Sequence, residues 1–373
     1  MKLFTSDDAD WLDVEDEPDG EVRARVDSRL RQLLGAERLV VLSGLGTSLC
    51  IRLEDETVRP PGMAELWNAA QDATDETTWE RALEAARWTK DFDDDIELLL
   101  SRCQMAYELS GDDDLADFIR ACEKAIVSAC RFVKPTTSLP EHEIFLRRIG
   151  RRPTRLPRTQ IFTTNYDQAF EVAASRTGFA VIDGFSHVSP QRFDSSFFDV
   201  DLAVRDRERA ATAVEWMPNV IQLLKLHGSV DWDSSGEGAV RVEQPARPLI
   251  VYPRMNKFEV SYQPPFLDLM ARFQVAVRRP ETAIIVIGSG LRDRHIAEPL
   301  LAAVNTNLRM SLLIVAPDVE ATESAAVSEI KRLIERGDRR LGLLSATFEQ
   351  FVDLTPDLVS QTEEERHRER LAR

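Results

Sequence analysis

Four consecutive apolar residues, Leu39-Val40-Val41-Leu42, run into Gly44-Leu45-Gly46-Thr47-Ser48. A short apolar run closed by glycines reads as a buried strand feeding a tight turn. An α/β domain brings its backbone against a phosphate in this way, because glycine tolerates positive φ and puts no Cβ between chain and ligand. The dinucleotide fingerprint asks for a third glycine, and Leu49 stands in its place. The turn alone is therefore as compatible with a plain strand–loop junction as with a cofactor loop.

The remaining pattern decides the fold class. The run AIIVI at 283–287 is apolar without alternation and enters Gly288-Ser289-Gly290-Leu291. Unbroken apolar strands belong to sheets covered on both faces. Further strands are predicted at 160–163, 180–182, 220–226, 311–315 and 341–344. Helices are predicted at 21–34, 166–176, 264–277, 294–304, 322–336 and 347–354. Strands alternating with helices predict a Rossmann-like, doubly wound parallel α/β sheet. From Met63 to Val133 the apolar period is helical and no strand is signalled, so 63–149 reads as an inserted helical subdomain. The sheet domain then comprises 21–62 and 150–355, and the stretch 184–218 matches neither pattern.

The ends are charged. Residues 1–20 carry eight acidic side chains from Asp7 to Asp19 and read as a solvated arm; the sharper alternative is an arm that orders against a neighbouring subunit through Phe4 and Trp11. Residues 356–373 read as a charged tail. The start lacks the basic and apolar segments of a signal peptide, and no apolar run reaches the ~18 residues of a membrane span, so a cytoplasmic protein off the membrane is expected.

With 373 residues, 43% of them hydrophobic, the chain can build one large domain with an insertion, or two domains. Its 47 Lys and Arg against 64 Asp and Glu give a net charge of −17. That surface repels polyanions, so broad nucleic-acid binding is not expected. The basic cluster Arg147, Arg148, Arg151, Arg152, Arg155 and Arg158 is the local exception; its expected partners are acidic segments of the same or another subunit, with a nucleic acid as the minority alternative. Cys50, Cys103, Cys122 and Cys130 form no CxxC pair and are expected as free thiols, with no metal site. Asp91, Asp93, Asp94 and Asp95 read as a solvated helix start.

Three further segments follow predicted strands, where open α/β sheets gather their ligand sites. They are Thr163-Thr164-Asn165-Tyr166-Asp167, Lys225-Leu226-His227-Gly228-Ser229, and Gly288-Ser289-Gly290-Leu291 with Asp293 and His295. Asn165 can hold a water or a hydroxyl through its carboxamide, and could equally cap a helix. His227 is a candidate general base. Asp167 could orient a neighbour or favour a helix start. Asp318 closes a strand where a ribose hydroxyl would be met. Asp293 and His295 are expected to begin the helix after the glycine turn, and neither they nor His187 are assigned to catalysis.

In this order the segments resemble the sirtuin-like superfamily. Gly44-x-Gly46-x-Ser48 resembles its first cofactor loop, and Thr164-Asn165-Tyr166-Asp167 is similar to its Gln-Asn-Ile-Asp element. Leu226-His227-Gly228-Ser229 is similar to its catalytic-histidine element, and Gly288-Ser289-Gly290-Leu291 stands where the family has Gly-Thr-Ser-Leu. The two CxxC pairs of the deacylases are missing, and Pro61-Gly62-Met63-Ala64-Glu65-Leu66-Trp67 replaces their loop. These departures resemble the sirtuin-like NAD⁺-hydrolysing proteins of bacterial anti-phage systems, among them those paired with a HerA-like hexameric ATPase.

The resemblance implies a fold without a zinc module and NAD⁺ as substrate. It implies Asn165 and His227 as catalytic residues. Gly44, Gly46, Ser48, Asp167, Gly288, Ser289 and Asp318 would contact the dinucleotide, with the backbone N–H groups of both glycine turns suiting its pyrophosphate. It implies a HerA-like ATPase partner and a homo-oligomer of six subunits or a multiple. Two other functions fit the same residues: an NAD-dependent protein deacylase, and a non-catalytic nucleotide-sensing scaffold.

Overall fold

The computed structural model describes residues 1–14, 20–53, 59–89, 92, 94–204, 215–234, 238–251, 264–322 and 324–358. Its strands, in chain order, are β1 (Lys2–Thr5), β2 (Leu12–Asp13), β3 (Arg38–Ser43), β4 (Thr159–Thr163), β5 (Ala180–Ile182), β6 (Ala203–Val204), β7 (Glu215–Trp216), β8 (Val220–Lys225), β9 (Gly228–Ser234), β10 (Ala239–Arg241), β11 (Pro248–Ile250), β12 (Thr282–Ile287), β13 (Met310–Val315) and β14 (Leu341–Ser345). The helices are α1 (Glu21–Leu34), α2 (Met63–Asp72), α3 (Glu76–Ala85), α4 (Ile96–Ser110), α5 (Asp113–Cys130), α6 (Pro140–Gly150), α7 (Ala169–Thr177), α8 (Phe266–Arg278), α9 (Arg294–Thr306), α10 (Ala325–Glu335) and α11 (Phe348–Leu354).

Among the described residues the main sheet runs β2-β1-β14-β13-β12-β3-β4-β8-β5. From β14 to β5 every neighbouring pair is parallel. The fold is therefore the expected doubly wound, Rossmann-like α/β arrangement. Unbroken apolar strands follow from it. Val40, Leu42, Ile284, Val286, Leu312 and Ile314 pack on one face with α8, α9 and α10. Leu39, Val41, Ala283, Ile285, Leu313 and Val315 pack on the other with α1, α6, α7 and α11. A side-chain period of two puts successive residues into opposite cores.

The chain leaves β3 toward β4 on one side and later returns to β12 on the other. The switch point lies between β3 and β12, and ligands of open α/β sheets bind in the crevice at such a point. Helices α2 to α5 fill the connection between β3 and β4. They form their own core around Trp67, Trp79, Leu99, Phe118 and Cys122, joined by Tyr166, Val230 and Ile250 from the sheet side.

The structure corrects several sequence expectations. The N-terminal residues are not a solvated arm: β1 pairs antiparallel with β14, and Leu3 and Phe4 are buried. Trp11 stacks on Phe4 at 5.3 Å, within the same chain. The acidic composition hid a four-residue strand with apolar side chains on both faces. Helix α6 docks in the sheet core through Phe145, Leu146 and Ile149 instead of joining the helical block before it; periodicity marks an apolar face and not the surface it meets. The helix expected from Tyr166 begins at Ala169. Strand β9 carries no sequence signal because Val230 and Trp232 are the only apolar side chains of GSVDWDS, although Ser229 and Asp231 are buried beside them.

Within the basic cluster, Arg158 pairs with Asp201 at 3.0 Å, Arg151 with Asp357 at 4.0 Å, and Arg148 and Arg152 donate to the carbonyls of Val352 and Ala36. The four cysteines are free, and Cys103, Cys122 and Cys130 are buried. Asp95 caps α4 by accepting from the N–H of Leu98 at 3.0 Å. Asp91, Asp93 and the tail from 359 lie outside the described residues. No helix among the described residues is long and apolar enough to cross a membrane.

Candidate functional site

Five strand ends converge on one cleft: those of β3, β4, β8, β12 and β13. Its volume is about 640 Å³, within the range of small-molecule sites. Gly44, Gly46, Asn165, Asp167, His227, Gly288, Ser289 and Asp318 line it. These are the residues proposed from sequence, with one exception. Ser48 is buried behind the wall, where its hydroxyl donates to Asp167 Oδ2 at 2.6 Å. It supports two lining residues instead of lining the cleft itself.

The two glycine turns interlock. Gly46 N–H donates to the Gly288 carbonyl at 2.8 Å, and Gly44 N–H to that of Ile287 at 3.0 Å. A Cβ on Gly46 would lie 2.6 Å from the Gly288 Cα, and one on Gly288, whose φ is +64°, 2.6 Å from the Thr47 nitrogen. Glycine is thus required at both places for backbone to meet backbone. Thr47 and Ser48 N–H groups donate to Gly44 and Leu45 carbonyls at 3.0 and 2.9 Å. Four N–H groups of the first turn are therefore spent inside the protein. That corrects the expectation of a row of donors here: through those four positions the turn contributes shape.

Asn165 lies in the loop between β4 and α7, and its Nδ2 donates to Gly44 O at 3.0 Å, Thr47 Oγ1 at 3.2 Å and Ser48 Oγ at 2.8 Å. The end of this carboxamide that can meet a ligand is its carbonyl oxygen. Asp167 accepts from Ala169 N–H at 2.9 Å through its other oxygen and so starts α7. Tyr166 donates from its hydroxyl to the Val251 carbonyl at 2.9 Å, and Val251 N–H donates to the His227 carbonyl at 2.9 Å. The two ligand-facing loops are thereby tied to one another.

His227 sits in the tight turn from β8 into β9. Gly228 after it has φ +88°, and a Cβ there would lie 2.1 Å from the Leu249 carbonyl oxygen. The His-Gly-Ser motif is thus a backbone requirement as well as a chemical one. Two buried or half-buried groups nearby were not assigned from sequence. His227 Nε2 lies 2.9 Å from Nε2 of His295, the second residue of α9. Burial, and then the neighbouring His295, hold His227 well below the ordinary imidazole range. Burial alone lowers His295 to about 4. Both rings are neutral at pH 7, as a general base must be. The sequence signal for His295 is its place in the first helical turn after a switch-point loop, one turn from the cleft wall.

The second is Lys225, the last residue of β8, which is 3% exposed. Its ammonium grips the Tyr166 and Asp167 carbonyls and pairs with Glu171 at 3.2 Å. Burial pushes the Glu171 carboxyl up and Lys225 opposes it. A cation closing an apolar strand was its signal.

The cleft wall carries polar Arg292, Asp293 and Asp318 as well as apolar Leu45, Leu49, Pro61, Met63, Leu66 and Phe132. Among the described residues no cluster of three or more His, Cys, Asp or Glu is arranged to hold a metal ion.

Residues 159–333 match the family model described as a SIR2-like domain. No curated protein matches the chain. Among solved structures, a Sir2 homologue with a histidine-to-asparagine substitution, in complex with ADP-ribose, is 16% identical with a TM-score of 0.44, covering 92% of this chain and 97% of that one. The serine-to-alanine variant of a Sir2 homologue, also with ADP-ribose, is 15% identical with a TM-score of 0.43 and the same coverage. Cytosolic 5′-nucleotidase IIIB bound to cytidine is 14% identical with a TM-score of 0.33, covering 95% and 94%. Asn165, Asp167, His227, Gly288, Ser289, His295 and Asp318 all fall inside the segment, residues 159–333, that is similar to a SIR2-like domain.

Proposed function

We propose that this chain is an NAD⁺ glycohydrolase, cleaving NAD⁺ with water to nicotinamide, ADP-ribose and a proton. The carrying observation is the meeting of Asn165, Asp167 and a neutral His227 with both glycine turns around one dinucleotide-sized cleft at the sheet's switch point. The SIR2-like domain match supports an NAD-related reaction. Breaking the nicotinamide–ribose bond needs little covalent machinery, because nicotinamide is already a cationic leaving group and the ribose passes through an oxocarbenium-like state. The polar side chains of the lining suit the pyrophosphate and adenosine, with Asp318 for a ribose hydroxyl. The apolar side chains of the lining suit nicotinamide. The Asn165 carbonyl oxygen holds water or a ribose hydroxyl in place, and His227 takes its proton.

The test is nicotinamide release from NAD⁺ by the purified chain, alone and with the ATPase partner. His227→Ala should lower turnover by at least about a hundredfold at unchanged melting temperature. Absence of nicotinamide release in every condition defeats the reading.

The apolar part of the lining also favours a second reading, deacylation, in which Leu45, Leu49 and Phe132 receive an acyl chain. Formation of O-acyl-ADP-ribose from an acylated peptide would decide for it. The biological part of the proposal rests on the resemblance: NAD⁺ depletion in anti-phage defence, with a HerA-like hexameric ATPase and a homo-oligomer of six subunits or a multiple. Light scattering with and without the ATPase tests it; a monomer in both cases defeats it.

A further inference from the structure

We propose that His295 is the positioning residue of His227: its Nε2 accepts the proton of His227 Nε2, which fixes the tautomer whose Nδ1 lone pair faces the cleft. This rests on the NAD⁺-cleaving reading for its consequences in turnover, though not for the pairing itself. A 2.9 Å separation between two ring nitrogens requires one proton between them. Two neutral imidazoles meet this way only as opposite tautomers. If His227 were the acceptor, its Nδ1 would carry a hydrogen, and neither nitrogen could take a proton from a substrate. If His227 is the donor, Nδ1 is a base.

The surroundings favour the second arrangement. His227 is 3% exposed, lines the cleft, and its Nε2 is committed to His295. His295 is only half-buried, so an Nδ1–H on its outer side can be met by water. It also stands in the first turn of α9, a thirteen-residue helix, whose N-terminal partial charge disfavours an imidazolium there. The other charged and titratable groups on the cleft wall that His227 shares are Glu97, Cys130, Tyr166, Asp167, Arg292, Asp293 and Asp318. When Nδ1 takes a proton from water or a ribose hydroxyl, His227 becomes an imidazolium whose Nε2–H bond to His295 strengthens. The charge is then shared with the ring of His295, which is not part of the cleft wall.

The test has two arms. The first uses ligand-free, histidine-¹⁵N-labelled protein and reads tautomers from ring nitrogen shifts; the chain has 5 histidines, and His227→Gln and His295→Gln assign the two signals. The expected result is Nε2–H on His227 and Nδ1–H on His295, both neutral at about pH 6. Nδ1–H on His227 overturns the proposal. The second arm compares nicotinamide release by His295→Leu and His295→Gln. Leucine should lower kcat about a hundredfold with KM changed less than about threefold; glutamine, which keeps an acceptor, should restore most of kcat. Equal losses in both, at equal melting temperatures, overturn it. If the protein never releases nicotinamide, the first arm still decides the pairing, and the failure belongs to the proposed reaction.

Discussion

The hydroxyl of Ser48 donates to Oδ2 of Asp167 at 2.6 Å, joining residues 119 positions apart. Ser48 also accepts from Asn165 Nδ2 at 2.8 Å. Asn165, Ser48 and Asp167 thus form one buried relay that locks the loop after β4 onto the turn after β3. Breaking its centre leaves Asp167 Oδ2 without its serine donor and removes one partner of the Asn165 amide. Ser48→Ala should cost about 1–3 kcal/mol of stability, read from urea unfolding. Turnover should fall with it although Ser48 is not on the cleft wall. In a double-mutant cycle, Ser48→Ala with Asp167→Ala should cost clearly less than the two losses added, because both remove the same bond. Strict additivity would mean that the bond contributes nothing.

The interlocked glycines make a second prediction. In Gly46→Ala the added methyl meets the Gly288 Cα at 2.6 Å, and the next nearest atoms are also Gly288 backbone. No side chain can swing away, so the turns must separate. The expected cost is about 3 kcal/mol or more, with loss of NAD⁺ binding by calorimetry. Gly290→Ala is the control, because its nearest atoms belong to the flexible Arg292 side chain at 3.6 Å and beyond. It should fold normally.

Lys225 gives a third. Lys225→Met preserves the stem and removes the ammonium, which takes a partner from the Glu171 carboxylate and from the Asp167 carbonyl. Loss of one partner of a buried pair costs about 3–5 kcal/mol. Glu171 should then bind a proton more readily, since Lys225 is the largest of the influences that oppose its upward shift. The variant should therefore regain part of its stability as pH falls toward about 5. Lys225→Met with Glu171→Gln should be more stable at pH 7 than Lys225→Met alone. Equal denaturation midpoints for the two would show that the pair is not coupled.

How far the sequence carried can be seen in the same residues. The strand ends bearing Gly44, Asn165, His227 and Gly288 were legible because buried parallel strands are unbroken apolar runs and their C-terminal turns are marked by glycine or a polar cluster. Their convergence on one cleft follows from the switch-point rule. The pairing of His227 with His295 was not legible, since it depends on the rotation of α9 and joins two loops 68 residues apart. The place of Ser48 behind the wall was equally hidden, because a strand pattern does not say which way the following turn folds. The N-terminal strand was masked by acidic neighbours. The helix expected at Tyr166 failed for a chemical reason: the Tyr166 carbonyl is taken by Val230 N–H at 3.0 Å, and Asp167 starts the helix two residues later.

The last prediction concerns a histidine outside the cleft. His142 on α6 is fully buried, and neither ring nitrogen has a hydrogen-bond partner. Its ring packs edge-on against Phe170 at 5.2 Å and Phe348 at 5.0 Å. Burial lowers its pKa to about 4, partly opposed by Asp167. The folded value lies below the unfolded one, so the unfolded chain binds more protons between about pH 4 and 6.5. His142 therefore contributes its full share of stability above about pH 6.5 and loses it as pH falls through that window, by an amount of order 3 kcal/mol. His227 and His295 act in the same direction. His142→Leu removes one of the three contributions and two unpaired polar atoms at similar volume. At about pH 7.5 the variant should be more stable than the parent by about 1 kcal/mol. At about pH 5 the gap should widen to several kcal/mol. The measurement is the urea midpoint of both proteins across that range, with the m-value checked for constancy. A gap that stays constant with pH would place the titration elsewhere; one that closes as pH falls would mean that His142 gains a partner on protonation.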